Sequence, residues 1–189
     1  MHHYAKGVAY AARKQFSEAD EQKTCFYDSL QRISPDCRFF NNPALQTLGV
    51  GEKMLLGELE YHKGSHETAF EHLREAVERS DSLHYSEPWP WMHPPRHALG
   101  ALLMEQGQHA EAEKVYREDL GLSDTVLRCA QHPNNVWALH GLVECLTNRG
   151  ETEESGNFTT LLESAIAKAD FTVTSSCCCR EKVRDPAVL

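Results

Sequence analysis

Residues 96–120, RHALGALLMEQGQHAEAEKVYREDL, contain two apolar runs with helical spacing and a glycine between them. The first run consists of Leu99, Gly100, Leu103 and Met104, and the second of Ala110, Ala112, Val115, Tyr116 and Leu120. Residues three and four positions apart share one face of a helix, so each run predicts a helix that buries one side. Gly107 interrupts the pattern. The stretch therefore predicts two short helices folded back on each other.

The spacing of small residues in this stretch recurs along the chain. Gly57, Gly64 and Ala69 repeat it closely, and the two ends of the chain repeat it more weakly, with Lys14 replacing a glycine and Ser155 replacing an alanine. The repeat-defining residues are Gly7, Tyr10, Ala19, Gly57, Gly64, Ala69, Gly100, Gly107, Ala112, Gly141 and Gly150. We expect small residues at these positions because two helices approach closely there.

The recurrence predicts an all-α fold, an antiparallel helix-pair solenoid with about four pairs and long inter-repeat loops. The pairs are expected at about residues 1–33, 51–80, 95–131 and 136–170, and residues 122–131 of the third pair either extend its second helix or add a turn. One helix pair buries too little apolar surface to be stable alone, whereas stacked pairs share a continuous core. We therefore expect one helical repeat domain over residues 1–170, followed by a flexible, cysteine-containing tail over residues 171–189.

These helix pairs resemble the tetratricopeptide repeat (TPR), a helix–turn–helix unit of about 34 residues. Much of the chain is similar to the C-terminal part of larger, uncharacterised bacterial-type TPR proteins. The similar segments are residues 83–120, Pro133–Leu142 and Ala167–Cys177, and residues 121–130 are an insertion relative to those proteins. The resemblance implies a protein-protein interaction scaffold that binds an extended peptide or a partner helix in a groove lined by the first helix of each pair. It also implies that further repeats or another chain cover the apolar N-terminal face.

Composition restricts the class of partner and the location. The formal net charge of -9 argues against a nucleic-acid binder, which needs a basic face. No apolar run approaches the roughly 18 residues of a membrane span, and the N-terminus lacks the apolar core of a secretory signal. We therefore expect a cytoplasmic protein with a protein or peptide partner, and we predict no cofactor, no bound metal and no catalytic residue.

The connection DSLHYSEPWPWMHPP, residues 81–95, is the strongest candidate for a binding site. The candidate binding residues in and just after it are Tyr85, Glu87, Trp89, Trp91, Arg96 and His97. In one interpretation the three aromatic rings form a ligand-binding lip, and the charged residues and His97 make polar contacts. In the other, the tryptophans cover an apolar seam of the helix stack and Glu87 pairs with Arg96. The sequence leaves both interpretations open.

Histidines and cysteines suggest further chemistry. His84, His93 and His97 could converge on a zinc ion, which takes three or four protein ligands, or could be ordinary surface and packing histidines. An enzyme or a small-molecule- or metal-binding protein that uses residues 84–97 is therefore the alternative function. The seven cysteines should be free thiols, with Cys25 and Cys145 buried as small hydrophobic residues and Cys177–Cys179 exposed.

Overall fold

The computed structural model describes residues 1–177 and 180. Within them lie eight α-helices, one short 3-10 helix at Arg128–Ala130 and two strands of two residues each, which confirms the all-α fold class. The helices are α1 (His2–Ala12), α2 (Phe16–Gln31), α3 (Ala44–Lys63), α4 (His66–Asp81), α5 (Pro95–Glu105), α6 (His109–Asp119), α7 (Val136–Asn148) and α8 (Thr152–Ile166). The strands β1 (Arg38–Phe39) and β2 (Asn42–Pro43) form an antiparallel hairpin.

The chain divides into two compact units, Met1–Pro95 (unit 1) and Arg96–Leu189 (unit 2). In unit 1, α1 packs on α2, α3 packs on α4, and the two pairs meet through α1 and α3. In unit 2, α7 packs on both α6 and α8. The sequence predicted one repeat domain over residues 1–170, whereas the structure gathers its helix pairs into two units of two pairs each.

The same tight turn joins the two helices of each pair. A residue in the left-handed conformation ends the first helix, with φ of 59° at Lys14, 90° at Gly64, 70° at Gly107 and 79° at Gly150. The next residue then donates its backbone N–H to the carbonyl oxygen five positions earlier, at 2.9 Å in all four turns. Glycine adopts positive φ without steric cost, which explains the recurring glycine, and Lys14 adopts the same conformation with a side chain present.

Small residues allow close helix contacts in each unit. A Cβ atom placed on Gly57 would lie 2.6 Å from Cγ of Leu73, so a larger residue would push α3 away from α4. In unit 2, a Cβ on Gly100 would lie 2.6 Å from Cζ of Tyr116, and a Cβ on Gly141 would also overlap this ring. The fully buried Tyr116 of α6 therefore sits between α5 and α7, each of which offers a glycine to it.

One predicted helix boundary was wrong, and one alternative left open by the sequence is decided by the structure. The first helix of the second pair begins at Ala44, not near residue 51. In the third pair residues 122–131 do not extend the helix, because α6 ends at Asp119 and Gly121 takes a left-handed φ of 74°. They add a separate 3-10 turn at Arg128–Ala130 instead. The backbone N–H of Leu122 then bonds the carbonyl oxygen of Arg117 at 2.8 Å, and this closes the helix end.

The close approach at Gly141 predicts that Gly141→Ala will destabilise the protein by about 1–3 kcal/mol, because the added methyl group must displace the Tyr116 ring. Gly156→Ala in α8 is the matched control, since a Cβ there meets no atom within 4 Å. Alanine is the better helix former, so the control should be neutral or stabilising by up to about 1 kcal/mol. Urea unfolding of both variants measures the difference, and equal stabilities would contradict the packing assignment.

Candidate functional site

The predicted binding residues fall into two groups, one in each unit. Tyr85 and Trp89 of unit 1 are 53 % and 44 % exposed, and Glu87 is exposed as well, whereas Trp91 is only 4 % exposed. Arg96 and His97 belong to unit 2 and are 6 % and 3 % exposed. Burial therefore separates residues that could meet a ligand from residues that pack inside their own unit.

Trp91 fills a space over the first helices of unit 1. Its ring lies edge-on against Tyr4 of α1, with 5.1 Å between ring centroids, and its indole N–H points at Sδ of Met54 in α3 at 3.0 Å. A Cβ on Gly51 would overlap this ring, so the glycine makes room for the indole. For Trp91 the structure shows the packing role, in which a tryptophan covers an apolar seam.

Tyr85 and the hairpin form an exposed aromatic surface on unit 1. The side-chain amide of Asn41 donates to the carbonyl oxygen of Tyr85 at 2.8 Å, and this bond fixes the hairpin against the connection. Phe39 and Phe40 at the hairpin tip are 45 % and 58 % exposed, and their rings contact each other edge to face. The Tyr85 hydroxyl donates to Glu87. We call Phe39, Phe40, Tyr85, Glu87 and Trp89 the hairpin–loop surface.

The hairpin is tied to the connection at a second point. The buried side chain of Asn42 donates to the carbonyl oxygen of His84 at 2.9 Å and accepts the backbone N–H of the same residue at 2.7 Å. Beside these bonds lies an open depression of about 550 Å³ lined by Leu45, Arg79 and His84 among others. The hairpin–loop surface therefore rests on a hydrogen-bonded base and borders a concave region.

Arg96 and His97 contact carboxylates inside unit 2. Nε of Arg96 lies 3.6 Å from a carboxylate oxygen of Glu118. Nε2 of His97 lies 2.9 Å from one oxygen of Asp119, and Nδ1 of His132 lies 2.7 Å from the other. Asp119 is fully buried, so a single carboxylate joins α5 to the connection that precedes α7.

The protonation of Asp119 follows from this geometry. Burial alone would raise the pKa of Asp119, but hydrogen bonds from His132 and His97 outweigh it and hold the pKa at about 2. An ionised carboxylate can only accept hydrogen bonds, so both imidazoles present N–H groups to it. The arrangement fixes both rings inside the unit, and this is a structural role.

The histidines do not form a metal site in the described part of the chain. Residues 1–177 and 180 contain no group of three or more His, Cys, Asp or Glu side chains arranged to hold an ion. Instead, the backbone of His84 bonds Asn42, and the ring of His97 bonds Asp119. Convergence of His84, His93 and His97 on zinc is therefore not seen.

Residues 171–177 and Arg180 pack on unit 2, whereas the sequence predicted a flexible tail. Val173, Ser175, Ser176 and Cys177 are all buried. The prediction of an exposed Cys177 is wrong, since only 1 % of this residue is exposed, and Cys178 and Cys179 lie outside the described residues. Apolar and hydroxyl side chains of this segment find partners on the helices, and composition alone did not reveal these partners.

This segment follows α7 from its first turn to its third. The ring of Phe171 lies against Trp137 with 5.8 Å between centroids, and Arg180 makes a bidentate salt bridge to Glu144 with two contacts of 3.0 Å. Nε of Arg180 also lies 3.7 Å from a carboxylate oxygen of Glu105, the last residue of α5. We call residues 171–177 together with Arg180 the strap.

The middle of the strap is held by Tyr116. The phenol hydroxyl of Tyr116 donates to Oγ of Ser176 at 2.7 Å, and both residues are fully buried. Burial raises the pKa of Tyr116 well above its usual value, so the hydroxyl keeps its proton and acts as the donor. The strap therefore presents an aromatic ring, a hydroxyl and a guanidinium group to the helices of unit 2.

Sequence reasoning missed the partners of several residues. Asp119 and His132 were not connected to His97, and Glu105 and Glu144 were not connected to Arg180, because each pair is distant in sequence. Cys145 is fully buried as predicted, and burial raises its thiol pKa to about 12, whereas Cys25 is only partly buried. The one local signal for a buried ion pair was Asp119, a charged residue at a position where the helical pattern faces inward.

Comparison with protein-family models gives no match, and no curated protein matches the chain. Among residues 1–177 and 180, no helix combines the length and the apolar character required to cross a membrane.

The Asp119 cluster predicts a pH-dependent contribution to stability. Asp119→Asn should destabilise the protein by about 3 kcal/mol at neutral pH, because an amide cannot accept hydrogen bonds on both sides from two buried imidazoles. The carboxyl pKa is depressed from its ordinary value of 3.8 to about 2 on folding, so its contribution is complete above about pH 4 and is lost as the pH falls through 2.

Thermal melts of wild type and Asp119→Asn from pH 7 to pH 2 test this. The difference in Tm should be constant above about pH 5 and should narrow below pH 4. Asp124→Asn, an exposed site in the same unit, is the control and should leave Tm unchanged. A difference that widens toward low pH would refute the assigned role.

The two tryptophans predict losses of stability that differ in size. Trp91→Ala should cost about 3–5 kcal/mol, because it empties the space over Gly51 that the indole fills. Trp89→Ala, two residues away and 44 % exposed, should cost less than about 1 kcal/mol. Urea unfolding followed by far-UV circular dichroism measures both, and a larger loss for Trp89→Ala would reverse the assignment.

Proposed function

We propose that the chain is a TPR-type protein-protein interaction scaffold that binds an extended peptide or a partner helix along the first helices of its pairs. The observation that carries the proposal is that the first helices of unit 2 already hold another segment of the chain, the strap, through contacts with Trp137, Glu144 and Glu105. A surface that accommodates one such segment in this way is suited to bind another of similar chemistry.

The recurring turn and the buried small residues support the assignment to tetratricopeptide repeats. Ala19, Ala69 and Ala112 are fully buried, and Ser155 is 8 % exposed at the same position of the last pair. Each of these residues follows a turn of the same geometry. In every turn one residue has positive φ, and the next residue donates its backbone N–H to the carbonyl oxygen five positions earlier. This agreement between sequence spacing and backbone geometry is what repeat units of one kind require.

The hairpin–loop surface offers a second place for contact with a partner. Aromatic side chains are enriched at the centres of protein interfaces, because they bury much area and lose little conformational entropy. Tyr85, Glu87 and Trp89 remain exposed there, while Trp91 is used for packing. The proposal also includes a cytoplasmic location. It further includes packing of additional repeats or another chain on α1, where Ala5 and Ala9 are exposed.

Site-specific photocrosslinking tests the proposal in cells. A photoreactive amino acid is placed at Leu45 of α3 or Glu105 of α5, which are exposed first-helix positions, and at Glu71 of α4 or Glu163 of α8 as second-helix controls. We expect one or more partner proteins to crosslink from the first-helix positions and not from the controls. Equal crosslinking from both sets, or none from the first helices, would contradict the proposal.

A further inference from the structure

The strap shows which peptide chemistry the first helices of unit 2 accommodate. Three contacts define it: the ring of Phe171 on Trp137, the hydroxyl of Ser176 on Tyr116, and the guanidinium group of Arg180 on Glu144. The hydroxyl and the guanidinium group are four residues apart. Each contact uses a different kind of interaction, so together they specify both the composition and the spacing of a ligand.

The guanidinium contact has the geometry of a recognition site. Both carboxylate oxygens of Glu144 lie 3.0 Å from terminal nitrogens of Arg180, which is the bidentate arrangement that distinguishes arginine from lysine. The carboxylate of Glu105 approaches Nε of the same residue. Two carboxylates on neighbouring first helices therefore face one cation, and the Arg180 side chain is 19 % exposed.

The hydroxyl contact lies deeper. The hydroxyl of Tyr116 reaches the strap from between Gly100 and Gly141, where no Cβ blocks the ring. A buried phenol without a hydrogen-bond partner is costly, so whatever occupies this position must offer an acceptor of the size of Ser176 Oγ. A serine or threonine meets this requirement and a bulky side chain does not.

From these contacts we propose that the first-helix face of unit 2 binds a basic peptide with a serine or threonine followed four residues later by arginine, and that the strap competes with this peptide. The proposal rests on the scaffold function proposed above and adds the chemistry of the ligand and its regulation. The strap follows α8 directly, so a short tether keeps its effective concentration near the millimolar range. A partner must displace it.

Competition predicts that weakening the strap strengthens binding of a peptide. The probe is a fluorescein-labelled peptide with the sequence of residues 171–180, FTVTSSCCCR, under reducing conditions. In fluorescence anisotropy with the full chain, Arg180→Ala should bind this peptide about tenfold more tightly than wild type, because the strap loses its charge-assisted hydrogen bonds. Arg128→Ala, an exposed arginine of the same unit, is the control and should bind like wild type.

Two further measurements distinguish specific recognition of the peptide arginine from a general loosening of the strap. A peptide with alanine in place of its arginine should bind Arg180→Ala about tenfold more weakly than the intact peptide. Glu144→Gln also releases the strap, but it removes the negative charge and one of the two acceptor oxygens that the peptide arginine needs, so it should not show the gain in affinity. Binding that ignores the peptide arginine, or an equal gain in both variants, overturns the proposal.

Hydrogen exchange on the wild-type chain tests displacement without any substitution. Saturating peptide should increase exchange in residues 173–177 while α5 and α7 stay protected, and unchanged exchange at full occupancy overturns the proposal. If exchange does not change, or if Arg180→Ala does not gain affinity, while Leu45 or Glu105 still crosslinks to a partner, the proposed peptide is wrong and the scaffold function stands. Absence of those crosslinks would count against the scaffold itself.

Discussion

Packing in both units depends on one steric constraint: the large rings of Trp91 and Tyr116 occupy spaces that a Cβ on the facing residue would fill. Tyr116 enters between Gly100 and Gly141, and Trp91 lies over Gly51. Packing density in protein interiors leaves little room for adjustment, so each glycine fixes both the distance between helices and the identity of the side chain that fills the gap. These positions thereby determine where the hydroxyl of Tyr116 can emerge to meet the strap.

The fold class and the turns were predictable from sequence, because both depend on local spacing. The turns were indicated by Gly64, Gly107 and Gly150, which have left-handed φ in the structure, and the helices were indicated by the apolar stripes. The distinction between Trp89 and Trp91 was not predictable, since both stand beside prolines and only Gly51, about 40 residues earlier, decides which ring is buried. The same holds for Ser176 and Arg180, whose partners Tyr116 and Glu144 are 60 and 36 residues away.

The two units cover their first helices in chemically different ways. In unit 1 the covering residue is Trp91, an apolar ring whose N–H points at the sulphur of Met54. In unit 2 the strap adds a hydroxyl and a guanidinium group to its aromatic contact. Apolar burial in water is non-directional, whereas hydrogen bonds and bidentate ion pairs require particular atoms at particular places. Unit 2 is therefore the better candidate for selective recognition, and unit 1 for a fixed scaffold.

Trp91 also bears on which rearrangements of the helix pairs unit 1 would tolerate. It lies ten residues beyond the end of α4 yet packs on α1 and α3. A duplication or deletion with break points at helix ends would separate the indole from Gly51 and leave an empty space in the remaining copy. The connection that carries Trp91 therefore belongs to the packing of unit 1, and a rearrangement that preserves this packing must keep the connection together with α1 and α3.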